Sequence, residues 1–93
     1  MAKFEFGKVV TASGVHYKRE EDGKFNQFVR DSFTRHINGD WGDLCEEDKK
    51  ANDNALITQN MLFSKYNYDD DTSIYIITEW DRSVTTILFP SEY

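Results

Sequence analysis

The sequence predicts an α+β fold of two layers: an antiparallel sheet, built from an N-terminal strand and a C-terminal three-stranded meander, packed with two helices. Three observations predict it. Apolar residues recur at spacings of three and four between residues 24 and 37, which is one face of a helix. A second stretch, residues 44–57, carries helix-start signals ahead of a thin apolar stripe. After residue 60, β-branched and aromatic residues fill three short runs separated by turn residues. The order strand, helix, helix, then three strands segregates the helices onto one face of a sheet.

The elements follow in chain order. Phe4, Phe6, Val9 and Val10 alternate loosely, so residues 4–11 read as the first strand, broken at Ser13-Gly14. Residues 15–23 are charged and hold at most a short helical turn. In the first long helix Phe25, Phe28, Val29, Ser32, Phe33 and His36 share one face, and Asn38-Gly39 ends it. In the second, Asp43 reads as the N-cap with Glu46 completing a capping box, and Glu46, Glu47 and Asp48 suit the positive end of the helix dipole. Leu44, Ala51 and Ala55, with Cys45 and Leu56, form its buried stripe. The strands span 61–68, 73–80 and 84–89, with turns at Asp69-Asp70-Asp71 and Asp81-Arg82-Ser83. Phe25, Phe28, Phe33, Leu44, Leu62, Ile74, Ile76 and Leu88 are the expected core.

The 93 residues form one domain, 1–93. A chain this short buries only about 60–65% of its unfolded surface. Its 15% aromatic content compensates, since large rings bury much area each, and it argues against disorder. A net charge of −6 argues against direct nucleic-acid binding, which needs clustered Lys and Arg. The charge is uneven: residues 1–38 carry +2 and residues 39–93 carry −8. One cysteine, Cys45, makes no internal disulfide and no zinc site alone, so a reducing compartment is expected. With neither an apolar leader nor a membrane-length run, a cytoplasmic protein with no membrane partner is expected.

Three segments could carry function. Gly39-Asp40-Trp41-Gly42-Asp43-Leu44 reads either as a recognition loop anchored by Trp41 or as two helix caps around a core plug. The acidic residues Glu46, Glu47, Asp48 and Asp53, with Asp69, Asp70 and Asp71, read as a charged face. Consecutive helical carboxylates diverge and the spacing of a calcium loop is absent, so no metal is expected. Arg82, at the tip of the last hairpin, either holds an anion or pairs with Asp81, Glu79 or a helix carboxylate. His36, in the last turn of its helix, suits a protonated imidazole. A Cys45–His36 dyad is conceivable across the interhelical turn, against the commoner reading of Cys as an inert small hydrophobe. No phosphate-cradling glycine loop is present, and no catalytic residues or cofactor are expected.

Gly-Asp-Trp-Gly-Asp-Leu at 39–44, Glu-Glu-Asp-Lys at 46–49, Ala-Asn-Asp at 51–53, Ile-Ile-Thr-Glu at 76–79, Asp-Arg-Ser at 81–83, Thr-Thr-Ile-Leu-Phe-Pro at 85–90 and the final Glu92-Tyr93 together form a pattern. It resembles a family of short proteins met in phages, plasmids and other bacterial mobile elements. The resemblance spans roughly residues 4–93 and departs at 67–72, which is more acidic here. It implies an anti-defence role of the anti-CRISPR or anti-restriction type. The expectation is a non-catalytic inhibitor, monomer or homodimer, whose acidic face binds the basic surface of a nucleic-acid-handling host defence protein. Asp40, Trp41, Asp43, Glu46, Glu47, Asp48, Asp53, Asp69, Asp70 and Asp71 would form that face. The alternative is an oligomeric sequesterer of nucleotide signals that uses Arg82, Trp80 and Lys65.

Overall fold

The computed structural model describes residues 2–93. Its elements run β1 (Lys8–Thr11), α1 (Ser13–Glu21), α2 (Gly23–Ile37), α3 (Glu46–Thr58), β2 (Leu62–Asn67), β3 (Ser73–Thr78) and β4 (Val84–Leu88), with a closing 3-10 turn at Pro90–Glu92. The sheet order is β1-β4-β3-β2. The meander β2-β3-β4 is antiparallel as its short turns require, with Ile76 opposite both Ser64 and Ile87. β1 instead pairs parallel to β4, Val9 beside Thr85 and Thr11 beside Ile87, so the sheet is mixed. The parallel pairing is reachable because α1, α2 and α3 intervene between the two strands and carry the chain back.

β1 is shorter than residues 4–11 suggest. Gly7 takes a positive φ of 63°, and a Cβ there would lie 2.3 Å from the Ser83 carbonyl oxygen. The chain before it leaves the sheet, so Phe4 and Phe6 serve the core rather than a ladder. Phe6 meets Phe33 edge-on at 5.2 Å and Phe4 stacks on Trp41 at 6.2 Å. Residues 15–23 give not a single turn but the nine-residue α1, which packs on α2. Its N-cap Ala12 has no side-chain acceptor, and Glu92 from the other end of the chain accepts the Gly14 N–H at 2.8 Å.

In α2 the buried stripe is Phe25, Val29, Ser32 and His36, while Phe28 and Phe33 pack partly exposed against its flank. Asp22 caps this helix, accepting from the Lys24 and Phe25 amides at 3.0 and 3.2 Å. These bonds, Phe25 first, hold the Asp22 carboxyl below its usual range. Gly39, with φ of 80°, follows the last turn as expected of a left-handed C-terminal residue.

α3 begins two residues later than the sequence suggests, because Asp43 is not its cap. Cys45 takes the N-cap position without a side-chain bond, and the Asp43 carboxylate is engaged elsewhere. Of the expected stripe, Ala55 is buried, Leu44 and Leu56 are half-buried, and Cys45 and Ala51 are exposed; Asn52 is buried instead.

One face of the sheet, bearing Leu62, Ser64, Tyr66, Ile74, Ile76, Thr78, Thr85 and Ile87, turns toward the helices. Val15, Phe25 and Val29 close on it in one cluster, and Trp41, Ala55 and Leu62 form a second beside α3. The opposite face carries Phe63, Lys65, Tyr75, Ile77, Thr86 and Leu88, with Tyr93 of the closing turn against Tyr75. No helix is long and apolar enough to cross a membrane among the described residues.

Candidate interaction surface

The loop between α2 and α3 is a structural joint. Arg35 donates to the Asp40 carboxylate through two nitrogens, Nε to Oδ2 at 2.8 Å and Nη2 to Oδ1 at 3.2 Å. The Gly42 amide adds a bond to Oδ1 at 3.1 Å, and the Asp40 carboxyl is held below its usual range, chiefly by Arg35. The Arg35 guanidinium also lies 4.9 Å over the Tyr66 ring, whose hydroxyl donates to the Asp40 carbonyl at 2.6 Å. Trp41 is only 3% exposed. Its ring meets Phe4 and His36, and its Nε1–H donates to Asp53 at 2.9 Å. Trp41 is therefore a core residue and not an exposed anchor, which corrects the recognition-loop reading.

The same loop finishes the outer edge of the sheet. Lys65 N–H donates to the Trp41 carbonyl at 3.3 Å, and Asp43 N–H donates to the Lys65 carbonyl at 2.7 Å. The Asp43 carboxylate accepts from the Asn67 amide at 3.0 Å. The Asn52 side chain exchanges two bonds with the Phe63 backbone, at 2.6 and 3.1 Å. Every outward amide of β2 thus finds a partner inside the chain, so this edge cannot pair with another strand. Gly42 makes the approach possible: its φ is 76° and an added Cβ would lie 2.0 Å from the Lys65 carbonyl oxygen. Gly42→Ala is expected to cost roughly 2 kcal/mol or more, from left-handed backbone strain and loss of this edge pairing. Denaturant titration reads that loss; a cost under about 0.5 kcal/mol would show that the edge closure contributes nothing.

Glu46, Glu47 and Asp48, in the first turn of α3, remain exposed, as do Asp70 and Asp71 at the β2–β3 turn. Lys49 approaches Glu46 only to 3.9 Å. Glu47, Asp48, Asp70 and Asp71 take no ion pair or side-chain hydrogen bond among the described residues. Asp69 instead closes its own turn, accepting from the Asp71 amide at 2.9 Å, and this bond holds its carboxyl below the usual range. The two acidic segments diverge from one junction: Asp43 bonds Asn67, with Glu46 three residues beyond the first and Asp69 two beyond the second. They leave it in different directions: Asp48 lies beside Leu44, Met61 and Phe63 at the start of β2, whereas Asp71 lies past the end of that strand beside Lys18 and Phe89. Asp40, Asp43 and Asp53 are held by Arg35, the Asn67 amide and Trp41.

Arg82 forms no ion pair with Asp81, Glu79 or a helix carboxylate. Its Nη1 donates to the carbonyls of Asn60, Glu79 and Trp80 at 2.7, 3.0 and 3.4 Å, and its Nη2 to that of Ala55 at 3.2 Å. It thus adds a donor to the Ala55 carbonyl, which also accepts from the Gln59 and Asn60 amides, and ties the end of α3 to the β3–β4 turn. Trp80 is exposed and Lys65 half-buried. Lys65 pairs with Tyr75, five residues before Trp80, which separates the two by roughly 15 Å along the strand. The three residues of the nucleotide-binding alternative do not converge.

His36 is fully buried and uncharged, contrary to the last-turn imidazolium that the sequence suggests. Nδ1 lies 2.6 Å from Ser64 Oγ and Nε2 lies 2.9 Å from Thr78 Oγ1. Thr78 Oγ1 lies 2.7 Å from Thr85 Oγ1, which donates to the Phe6 carbonyl at 2.7 Å. A carbonyl only accepts, so the proton positions follow in turn. Thr85 donates to Phe6, Thr78 donates to Thr85, His36 Nε2–H donates to Thr78, and Ser64 donates to Nδ1. This satisfied chain joins α2, β2, β3, β4 and the N-terminal segment. Burial, then the nearby Arg82 charge, drives the His36 pKa down to about 3. Cys45 is exposed and both His36 nitrogens are occupied, so the Cys45–His36 dyad is not formed. No sequence spacing announced this network, because its members belong to four separate elements.

No family model, curated protein or solved structure matches the chain.

Proposed function

We propose that this protein is a non-catalytic inhibitor of mobile-element origin. Its acidic face binds the basic, nucleic-acid-handling surface of a host defence protein, of the anti-CRISPR or anti-restriction type. The observation that carries the reading is the set of exposed carboxylates Glu47, Asp48, Asp70 and Asp71, which have no partners of their own among the described residues. Such a group presents repeated negative charge to a groove built for phosphates. The buried cluster of His36 with Ser64, Thr78 and Thr85 is enclosed and mutually satisfied, which favours a structural role for it. Trp41, Asp40, Asp43 and Asp53 are engaged within the fold and leave the contact surface.

Capture of a partner from host lysate, identified by mass spectrometry, is the first step of the test. The triple change Glu46→Lys, Glu47→Lys, Asp48→Lys is then expected to weaken binding about tenfold or more at low salt, chiefly through slower association. Three cations at the positive end of α3 should also lower the melting temperature by several degrees, so binding is compared well below it, where both forms are folded. Unchanged affinity would reduce the acidic first turn of α3 to solubilising surface.

A further inference from the structure

The two edges of the sheet are finished differently. Along β2 the chain's own groups meet every outward amide. Along β1, the Lys8 amide donates to Ser83 at 3.1 Å and the Ala12 amide to Ile87 at 2.9 Å. The two-residue repeat of the ladder therefore turns the N–H and C=O of Val9 and Thr11 away from β4. No group among the described residues meets them. An unpaired run of this kind is a template for another strand.

Beside this edge, on the helix side, lies a groove of about 290 Å³ lined by Val9, Val29, Phe33 and Ile87, with Arg19 and Arg30 flanking it. Val9 is 43% exposed. Arg30 is exposed with no carboxylate partner among the described residues, and Arg19 engages Asn26 through Nε alone, at 2.7 Å. Free backbone groups, an apolar slot and two cations therefore stand side by side.

We infer that the β1 edge binds an extended segment of a partner protein as a fifth strand. An apolar side chain enters the groove, and carboxylates two residues to either side reach Arg19 and Arg30. Main-chain bonds to Val9 and Thr11 supply affinity, and the groove and arginines supply selectivity. The alternation follows from geometry: side chains of one strand face share a period of two, and the groove and both arginines lie on one face. A second copy of this chain is disfavoured, because a two-fold edge pairing would bring Lys8, Arg19 and Arg30 of both copies together. The inference does not depend on the role of the acidic residues.

The probe is the capped peptide Thr-Glu-Thr-Val-Thr-Glu-Thr, titrated into the ¹⁵N-labelled protein by NMR. Expected shifts concentrate on the Val9 and Thr11 amides, and replacing both probe glutamates by Lys weakens binding at least fivefold. N-methylating alternate amides of the probe abolishes binding in one phase and spares it in the other, since only one set faces β1. Val9→Pro removes an outward donor without costing a ladder bond, so it should weaken binding while leaving the melting temperature within a few degrees. Shifts elsewhere, equal binding of the Lys probe, or indifference to methylation in both phases would overturn the inference. So would concentration-dependent self-association that protects Val9 and Thr11, which would give the edge to a second copy.

Discussion

Trp41→Ala is expected to destabilise the protein by about 3–5 kcal/mol, the range for truncating an enclosed large aromatic side chain. Trp41 is 3% exposed and packs with Ala55 and Leu62, with Phe4 at 6.2 Å and His36 at 5.7 Å between ring centroids. Its removal opens a void where α2, α3, the N-terminal segment and β2 meet, and no single neighbour can fill it. Trp41→Phe keeps a ring but loses the 2.9 Å bond to Asp53, so it should cost less than the alanine change. Denaturant titration of both variants decides the role of the residue. A surface anchor would behave oppositely, leaving stability within about 0.5 kcal/mol while abolishing partner binding.

Stability is also expected to fall with acid well before the carboxylates titrate. His36 is neutral in the fold, with a pKa near 3, against the ordinary 6.5 once the chain unfolds. The unfolded state therefore takes up a proton first. The stabilisation is complete above pH 6.5 and is lost as pH falls from there toward 3, at about 1.4 kcal/mol per pH unit. By pH 4.5 the loss should be about 2–3 kcal/mol. Asp22 and Asp40, whose carboxyls are held below the usual range, add their own losses only at lower pH. Equilibrium unfolding between pH 7 and 4.5 measures the slope. His36→Gln should be less stable at pH 7 yet nearly flat across that window, and a slope surviving in it would assign the effect elsewhere.

Low pH should therefore act on the centre of the molecule and high salt on its exposed carboxylates. A binding assay that loses signal in salt but not at pH 5.5 would report the exposed carboxylates. Loss at pH 5.5 accompanied by reduced stability would report the His36 network.

The sequence by itself determined the α+β class, the long helix α2, the meander and the turns between its strands. Each rests on local information: a period of three and four from Phe25 to His36, a period near two through β2, β3 and β4, and breakers at Asn38-Gly39 and Asp69–Asp71. It also determined the charge imbalance between the halves of the chain. Only the tertiary structure decided the parallel docking of β1 beside β4, because strand direction depends on where three helices return the chain. It alone decided which carboxylates are free. Asp40, Asp43 and Asp53 resemble Glu47 and Asp48 in sequence, but Arg35, the Asn67 amide and Trp41 engage them from distant positions. The same holds for Arg82, whose acceptors are backbone carbonyls that carry no side-chain signature. For His36 the deciding fact is burial, since an exposed helix terminus favours its charge and a dry core forbids it.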